Sequence, residues 1–152
     1  MKNLNIIFIG ADHRGFKLKE RIIKFLRHRK LLVIDVGTFS NAPCDYPLIA
    51  FKLGKNVAAS SRNRGILICK TGIGDSIAAN KVKGVRAALC CNQKAARLSR
   101  EHNDANILVL GSDFVQEKDA RKIINIWLRT EFKGGRHLRR IKQIGKFENL
   151  NK

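Results

Sequence analysis

The chain has 152 residues, of which 44% are hydrophobic and 28% are charged, a size and balance typical of one soluble globular domain. No apolar run approaches the ~20 residues of a membrane-spanning helix, and the N-terminal segment is too short and too interrupted for a signal peptide, so we expect a cytoplasmic protein without membrane contact. The net charge of +19 permits nucleic-acid binding, but no zinc finger, RNA-binding signature or aromatic-interleaved basic patch accompanies it, and attraction of phosphorylated substrates is a simpler use of the same charge.

Apolar runs alternate with amphipathic segments along the chain. Continuous apolar runs predict strands at residues 4–9, 31–36, 65–69, 85–90 and 105–110. Helical spacing predicts helices at residues 15–30, 47–60, 76–81, 93–101, 118–132 and 136–147. Continuous apolar strands that alternate with helices are typical of a parallel sheet covered on both faces. We therefore predict one α/β domain over residues 1–152, a Rossmann-like three-layer sandwich with a five-stranded parallel sheet and a C-terminal helix.

The most informative segment is GILICKTGIGDSIAANK at residues 65–81. A predicted strand ends at Cys69, and a loop with Gly72 and Gly74 leads into a predicted helix, so backbone N–H groups can converge on an anion. A P-loop is excluded because its Lys-Ser/Thr pair would follow the last glycine, and a dinucleotide fingerprint is excluded because Ile77 stands where the third glycine belongs. The segment indicates chemistry on an anionic small molecule, with the thiol as proton carrier or nucleophile.

The thiol of Cys69 is the first candidate for that chemistry. The start of the following helix and the charge of Lys70 are both expected to lower its pKa from the ordinary ~8.5. An inert buried cysteine explains the same residue equally well. The other cysteines, Cys44, Cys90 and Cys91, form no CxxC pair and have no histidine at zinc-site spacing, so neither a disulfide nor a metal site is expected. Cys90, Cys91 or both are expected to pack as small hydrophobic residues.

Polar side chains next to other predicted strands could belong to the same site. Asp12 and His13 follow the first strand, and His102 and Asn103 enter the fifth. Ligands of open parallel sheets bind beyond the carboxyl ends of the strands, so we expect these residues to cluster there. Asp12 could instead cap the next helix, and His102 could be a surface histidine at a helix end.

Arginines in the last predicted helix could bind a phosphate. Arg136 and Arg140 are four residues apart and so share one helix face, from which both can donate charge-assisted hydrogen bonds. An ordinary basic helix explains the same pattern.

Taken together, these segments resemble the family of type B ribose-5-phosphate isomerases and galactose-6-phosphate isomerase subunits. The matching segments are GADHRG at 10–15, DYP at 45–47, GILIC at 65–69, TGIG at 71–74, SIAANK at 76–81, SREHNDAN at 99–106 and GGRH at 134–137. They span nearly the whole chain in the family's order, and the last two segments look more like the ribose-5-phosphate branch.

The resemblance implies an aldose–ketose isomerase that interconverts ribose 5-phosphate and ribulose 5-phosphate without a metal or organic cofactor. His102 would open the sugar ring, and Cys69 would move the proton between C2 and C1 through an enediolate. The backbone N–H groups of Thr71, Gly72, Ile73 and Gly74 would stabilise the oxyanion. The resemblance assigns sugar hydroxyls, or the orientation of His102, to Asp12, Tyr46 and Asn103, and it assigns the phosphate to His13, Arg136 and Arg140. It also implies a homodimer or tetramer whose sites are each built from two subunits.

Three positions depart from the family's pattern. Lys70 replaces a glycine, Asp75 replaces an apolar residue, and Asp113 replaces an arginine that binds phosphate in many members. The Asp75 carboxylate is expected to oppose negative charge in the loop unless it points to solvent or pairs with Lys70. Two alternatives to the pentose-phosphate isomerase therefore stay open: an isomerase of allose or galactose 6-phosphate, and a non-catalytic protein of the same fold that binds sugar phosphates or nucleic acid.

Overall fold

The computed structural model describes residues 6–150, which form a five-stranded parallel sheet and six helices. The strands are β1 (Ile7–Ala11), β2 (Val33–Asp35), β3 (Arg64–Cys69), β4 (Ala87–Leu89) and β5 (Ile107–Gly111). The helices are α1 (Phe16–His28), α2 (Tyr46–Ala58), α3 (Ile73–Ala79), α4 (Gln93–Asn103), α5 (Glu117–Arg129) and α6 (Arg136–Leu150). Residues 4 and 5 of the first predicted strand lie outside the described residues.

The strand order β2-β1-β3-β5-β4 places β3 at the centre of the sheet. Helices α1, α4 and α5 contribute to one apolar cluster, and α2 and α3 contribute to a second cluster that also contains Leu67 and Val109. Alternate residues of β3 enter the two clusters, as expected where both faces of a sheet are buried. The predicted three-layer α/β fold is confirmed.

The edge strands are shorter than predicted. β2 and β4 have three residues each, whereas the apolar runs predicted six. Each edge strand pairs with one neighbour, β2 with β1 and β4 with β5, so the ends of its apolar run are not held in a ladder on both sides. Apolar composition therefore predicted where these strands lie but overestimated their length.

Helix α3 begins earlier than predicted, at Ile73 instead of Ser76. Gly72 adopts a left-handed conformation with φ of 80°, which glycine reaches without steric cost, and the chain enters the helix directly after it. Gly74 and Asp75 consequently lie in the first turn of a helix instead of in a loop.

Helix α6 differs from the other helices in its packing. It contacts α4, but none of its side chains is buried, and Leu138, Ile144, Phe147 and Leu150 are exposed on it. An amphipathic helix in a folded domain normally buries its apolar stripe, so α6 has apolar surface that one protomer leaves uncovered. Among residues 6–150, none of the helices combines the length and the apolar character needed to cross a lipid bilayer.

Candidate active site

Cys69 ends the central strand, and its side chain is buried at the carboxyl edge of the sheet. Its Sγ accepts a hydrogen bond from the backbone N–H of Gly72, with an N···S distance of 3.1 Å. A Cβ atom on Gly72 would lie 2.5 Å from Leu89 Cδ1, and the positive φ would strain any other L-residue there. Glycine therefore allows the tight turn that directs this amide at the sulfur.

The neighbouring backbone N–H groups also donate hydrogen bonds to side chains of this loop. The N–H of Asp75 makes a second backbone hydrogen bond to the Cys69 sulfur. The N–H of Ile73 donates to Thr71 Oγ1 over 3.3 Å. Hydrogen bonds from backbone N–H groups at the start of α3 thus hold both the Cys69 thiol and the Thr71 hydroxyl in fixed positions.

The carboxyl group of Asp75 lies inside this loop. Asp75 is 1% exposed, one of its oxygens shares a hydrogen bond with the Cys69 thiol, and Oδ2 has no hydrogen-bond partner among residues 6–150. The pKa of Asp75 is raised to about 7, chiefly by burial and to a smaller extent by the charge of Asp12, while the hydrogen bond with the Cys69 thiol acts in the opposite direction. Neither of the two exceptions named for Asp75 applies, because its carboxyl neither points to solvent nor pairs with Lys70, and its charge opposes negative charge on Cys69 as expected. Lys70 instead extends to Asp113, 4.0 Å from Nζ to Oδ2, and both side chains are about half exposed.

The pKa of Cys69 is raised to about 12, first by burial and then by the negative charge of Asp75. The hydrogen bonds from the Gly72 and Asp75 amides act in the opposite direction but are weaker. The predicted lowering of this pKa was wrong, because desolvation outweighs the helix start and the charge of Lys70 is directed to Asp113. The thiol of the isolated protomer therefore keeps its proton at neutral pH.

Three predicted site residues lie at the same edge of the sheet. Asp12 Oδ1 accepts from the N–H groups of Arg14 and Gly15 at 2.9 and 3.0 Å, which holds the turn before α1. His13 Nδ1 accepts from the N–H of Cys44 at 3.3 Å. Tyr46 starts α2 and places its hydroxyl 2.7 Å from where a Cβ on Gly74 would lie. Asp12, His13, Tyr46 and residues 69–75 form what we call the thiol cluster.

The other predicted residues lie at the opposite edge. Helix α4 follows β4 back across the sheet and ends at Asn103, just before β5 begins at Ile107. Cys69 pairs with Gly111 at the far end of β5, so the length of that strand, about 13 Å, separates the two edges. The expectation that His102 and Asn103 cluster with Cys69 at the carboxyl ends was therefore wrong within one chain.

Helix α6 brings the predicted phosphate ligands to this second edge. The ring of His137 stacks on that of His102 with centroids 4.3 Å apart and planes 9° from parallel. Lys133 ties the connection to α4 through a 2.9 Å ion pair with Glu101. Arg136 and Arg140 lie exposed in the first turns of α6. His102, Asn103, Arg136, His137 and Arg140 form what we call the histidine cluster.

Three members of these clusters, Lys70, Asp75 and His137, were not predicted as site residues. His137 had no role of its own, although partial burial and the positive charge of His102 lower its pKa. Asp75 was named as a departure from the family pattern, and that departure was the sequence signal for its place beside the thiol. Among residues 6–150, no three His, Cys, Asp or Glu side chains are grouped as metal ligands.

Comparison with known proteins gives a consistent result. A family model described as ribose/galactose isomerase matches residues 7–144. The chain is 45% identical to ribose-5-phosphate isomerase B of Escherichia coli over 93% of this chain and 95% of that protein. It resembles the solved ribose-5-phosphate isomerase B of Clostridium thermocellum with a TM-score of 0.94 and 49% identity, covering 97% of this chain and 100% of that one. The Mycoplasma genitalium structure with bound ribulose-5-phosphate has a TM-score of 0.92 and 44% identity, covering 95% and 96%.

Proposed function

The chain belongs to the ribose/galactose isomerase family, and we propose on this premise that it interconverts ribose 5-phosphate and ribulose 5-phosphate through an enediolate. One observation carries the proposal. The thiol of Cys69 ends the central strand beside a polar loop, in a chain that matches ribose-5-phosphate isomerases B over nearly its full length. A protein that handles a phosphorylated sugar also fits a cytoplasmic location and a basic surface, since positive charge attracts phosphate.

In this mechanism Cys69 removes the proton from C2 of the open-chain aldose and delivers it to C1. The electrons of the C2–H bond form the C1=C2 double bond, and negative charge develops on O1. We assign the stabilisation of that charge to backbone N–H groups of the loop from Thr71 to Gly74, because preorganised N–H groups need no reorganisation during the reaction. We assign sugar hydroxyls to Asp12 and Tyr46 and the phosphate to His13, and all three residues lie at the same edge of the sheet as Cys69.

The remaining roles require a second copy of the chain. His102 would open the ring, Asn103 would hold a sugar hydroxyl or orient His102, and Arg136 and Arg140 would bind the phosphate. Since this histidine cluster lies at the opposite edge of the sheet from Cys69, with the length of β5, about 13 Å, between the two edges, we propose a homodimer, alone or within a tetramer, in which the histidine cluster of one protomer completes the thiol cluster of the other. The exposed side chains of Leu138, Ile144 and Leu150 support a partner on that helix.

The wild-type protein is expected to convert ribose 5-phosphate to ribulose 5-phosphate, with a higher kcat/KM than for allose 6-phosphate or galactose 6-phosphate. The measurement is direct detection of the ketose product for all three substrates at equal enzyme concentration. A higher kcat/KM for a six-carbon substrate would contradict the proposal and reassign the specificity. Absence of turnover together with salt-dependent binding of nucleic acid would instead favour the non-catalytic alternative.

Replacing Gly74 with alanine is expected to raise KM for ribose 5-phosphate at least several-fold. The added methyl group would lie 2.7 Å from the Tyr46 hydroxyl, so the ring must move away from the position in which it holds the sugar. Alanine is a better helix former than glycine by roughly 1 kcal/mol, so the free energy of unfolding should not fall. Steady-state kinetics measure the KM, and urea denaturation measures the free energy of unfolding, so together they test whether the first changes without a loss in the second. Gly145→Ala is the matched control, because a Cβ there meets nothing within 4 Å.

A further inference from the structure

The Asp75 carboxyl is a buried polar group that the reaction described above does not use. It is 1% exposed, lies in the first turn of α3 and shares a hydrogen bond with the Cys69 thiol. Its Oδ2 atom has no partner among the described residues, which is a costly arrangement for a buried carboxylate oxygen. The charge of Lys70 does not offset that cost, because Lys70 pairs with Asp113. A buried oxygen with unused hydrogen-bonding capacity beside a reactive thiol is placed to receive a proton.

We propose that Asp75 is the proton acceptor for the Cys69 thiol, so that the two side chains act as one acid–base pair during isomerisation. This inference rests on the proposed function. It concerns how the Cys69 thiol loses its proton and becomes a base, a step that the mechanism above does not describe. The sulfur must lose its own proton before it can remove one from carbon, and water has little access to a thiol that is 5% exposed.

The proton transfers balance within the pair. The thiol proton moves from Sγ to an oxygen of Asp75, which leaves a thiolate and a neutral carboxylic acid. The thiolate then takes the proton from C2, and the C–H electron pair forms the C1=C2 bond while the carbonyl pair moves to O1. The thiol returns its proton to C1 as the O2 hydroxyl proton moves to O1 and the C2 carbonyl forms. The thiolate finally recovers the proton held by Asp75.

The pKa values of about 12 for Cys69 and about 7 for Asp75 mean that the proton rests on the thiol and moves to the carboxylate only transiently, during the reaction. Burial raises the pKa of Asp75 to about 7, so the carboxylate is present near neutral pH and is basic enough to hold a proton transiently. The same carboxylate raises the pKa of Cys69, so it opposes formation of a thiolate that would exist before substrate binds. The charge of Asp75 therefore opposes a free thiolate at Cys69. The same carboxylate can, however, accept the thiol proton while Cys69 removes the proton from C2.

Asp75→Asn separates the two effects of this carboxylate, which opposes a free thiolate and accepts the thiol proton. Loss of the negative charge should increase the thiolate fraction and so raise the rate of Cys69 alkylation by iodoacetamide by up to roughly tenfold. If Asp75 accepts the proton, isomerase turnover should nevertheless fall by about 10²-fold. Alkylation is followed at the Cys69 peptide by mass spectrometry, because Cys44, Cys90 and Cys91 are also free thiols. Opposite changes in alkylation and turnover support the inference.

Turnover that rises together with alkylation would overturn the inference, because Cys69 would then act as an independent thiolate. A fall in both rates with a lower melting temperature would overturn it as well, since Asp75 would then serve only to pack the loop. Asp119→Asn is the matched control, because it removes an exposed carboxylate that pairs with Lys122 instead of the thiol and should change neither rate.

Chemical rescue provides a second measurement if the asparagine variant folds poorly. Asp75→Ala leaves space for a small carboxylate, and sodium formate is expected to restore part of its turnover without affecting the wild type. Failure of formate to raise turnover in a folded Asp75→Ala protein would count against the inference. A wild-type protein that is alkylated at Cys69 but does not isomerise ribose 5-phosphate would overturn the proposed function itself, so the two failures are distinguishable.

Discussion

Replacing Cys69 with alanine is expected to lower the isomerase turnover of ribose 5-phosphate by roughly 10²- to 10⁴-fold, the contribution that a positioned general base or acid makes. The sulfur ends the central strand and accepts hydrogen bonds from the Gly72 and Asp75 amides, so the loop holds it in one position. Alanine removes the group that carries the proton and leaves that loop without its central acceptor. Single-turnover formation of ribulose 5-phosphate measures the loss without interference from product release.

Cys90→Ala is the matched control for this variant. Cys90 is 1% exposed and packs in the apolar cluster with α1 and α5, and burial raises its pKa to about 11, so it is a buried neutral thiol as well. Its replacement should lower the free energy of unfolding by about 1 kcal/mol and leave turnover per folded molecule unchanged. Equal turnover of wild type and Cys69→Ala would refute the proton-transfer role of Cys69. Cys69→Ser is a further comparison, since it keeps the size of the side chain but loses the more acidic thiol.

The layers of the fold could be predicted because each strand is recorded in the sequence as a continuous apolar run. The prediction was most accurate for β3, where the run at residues 65–69 matches a strand that is buried on both faces. It was least accurate for the edge strands and for the start of α3. Those boundaries depend on pairing with a single neighbour and on the left-handed conformation of Gly72, neither of which affects hydrophobic periodicity.

The site was harder to predict, because the type of a residue indicates what chemistry it can do but not which way its side chain faces in the fold. The position of His102 was implicit in the topology, since a helix that connects two parallel strands returns the chain to the amino edge. No rule of chain topology predicted the surroundings of Asp75. Whether a carboxyl group in the first turn of a helix faces water or a thiol depends on how that turn packs on the sheet. The same packing buries the Cys69 thiol beside the charge of Asp75, and it thereby reversed the expected effect on the pKa of Cys69.

Mixing two inactive variants is expected to restore activity if each site combines the thiol cluster of one protomer with the histidine cluster of another. Cys69→Ala and His102→Ala should each be nearly inactive as homodimers. In a heterodimer both lesions fall in one site, and the other site combines an intact Cys69 with an intact His102. Random exchange of equal amounts makes half of the dimers mixed, so about a quarter of the wild-type turnover should return.

The two variants are unfolded and refolded together to exchange subunits, and turnover is compared with that of each variant refolded alone. A mixture of Cys69→Ala with Asp75→Asn is the internal control, because both residues lie in the thiol cluster. In that pairing every site of a mixed dimer carries one of the two lesions, so no recovery is expected. Recovery with His102→Ala but not with Asp75→Asn would place the two clusters on different protomers of one site. No recovery in either mixture, with mixed dimers verified by mass, would contradict the shared site, because His102 and Cys69 on one chain are separated by the length of β5.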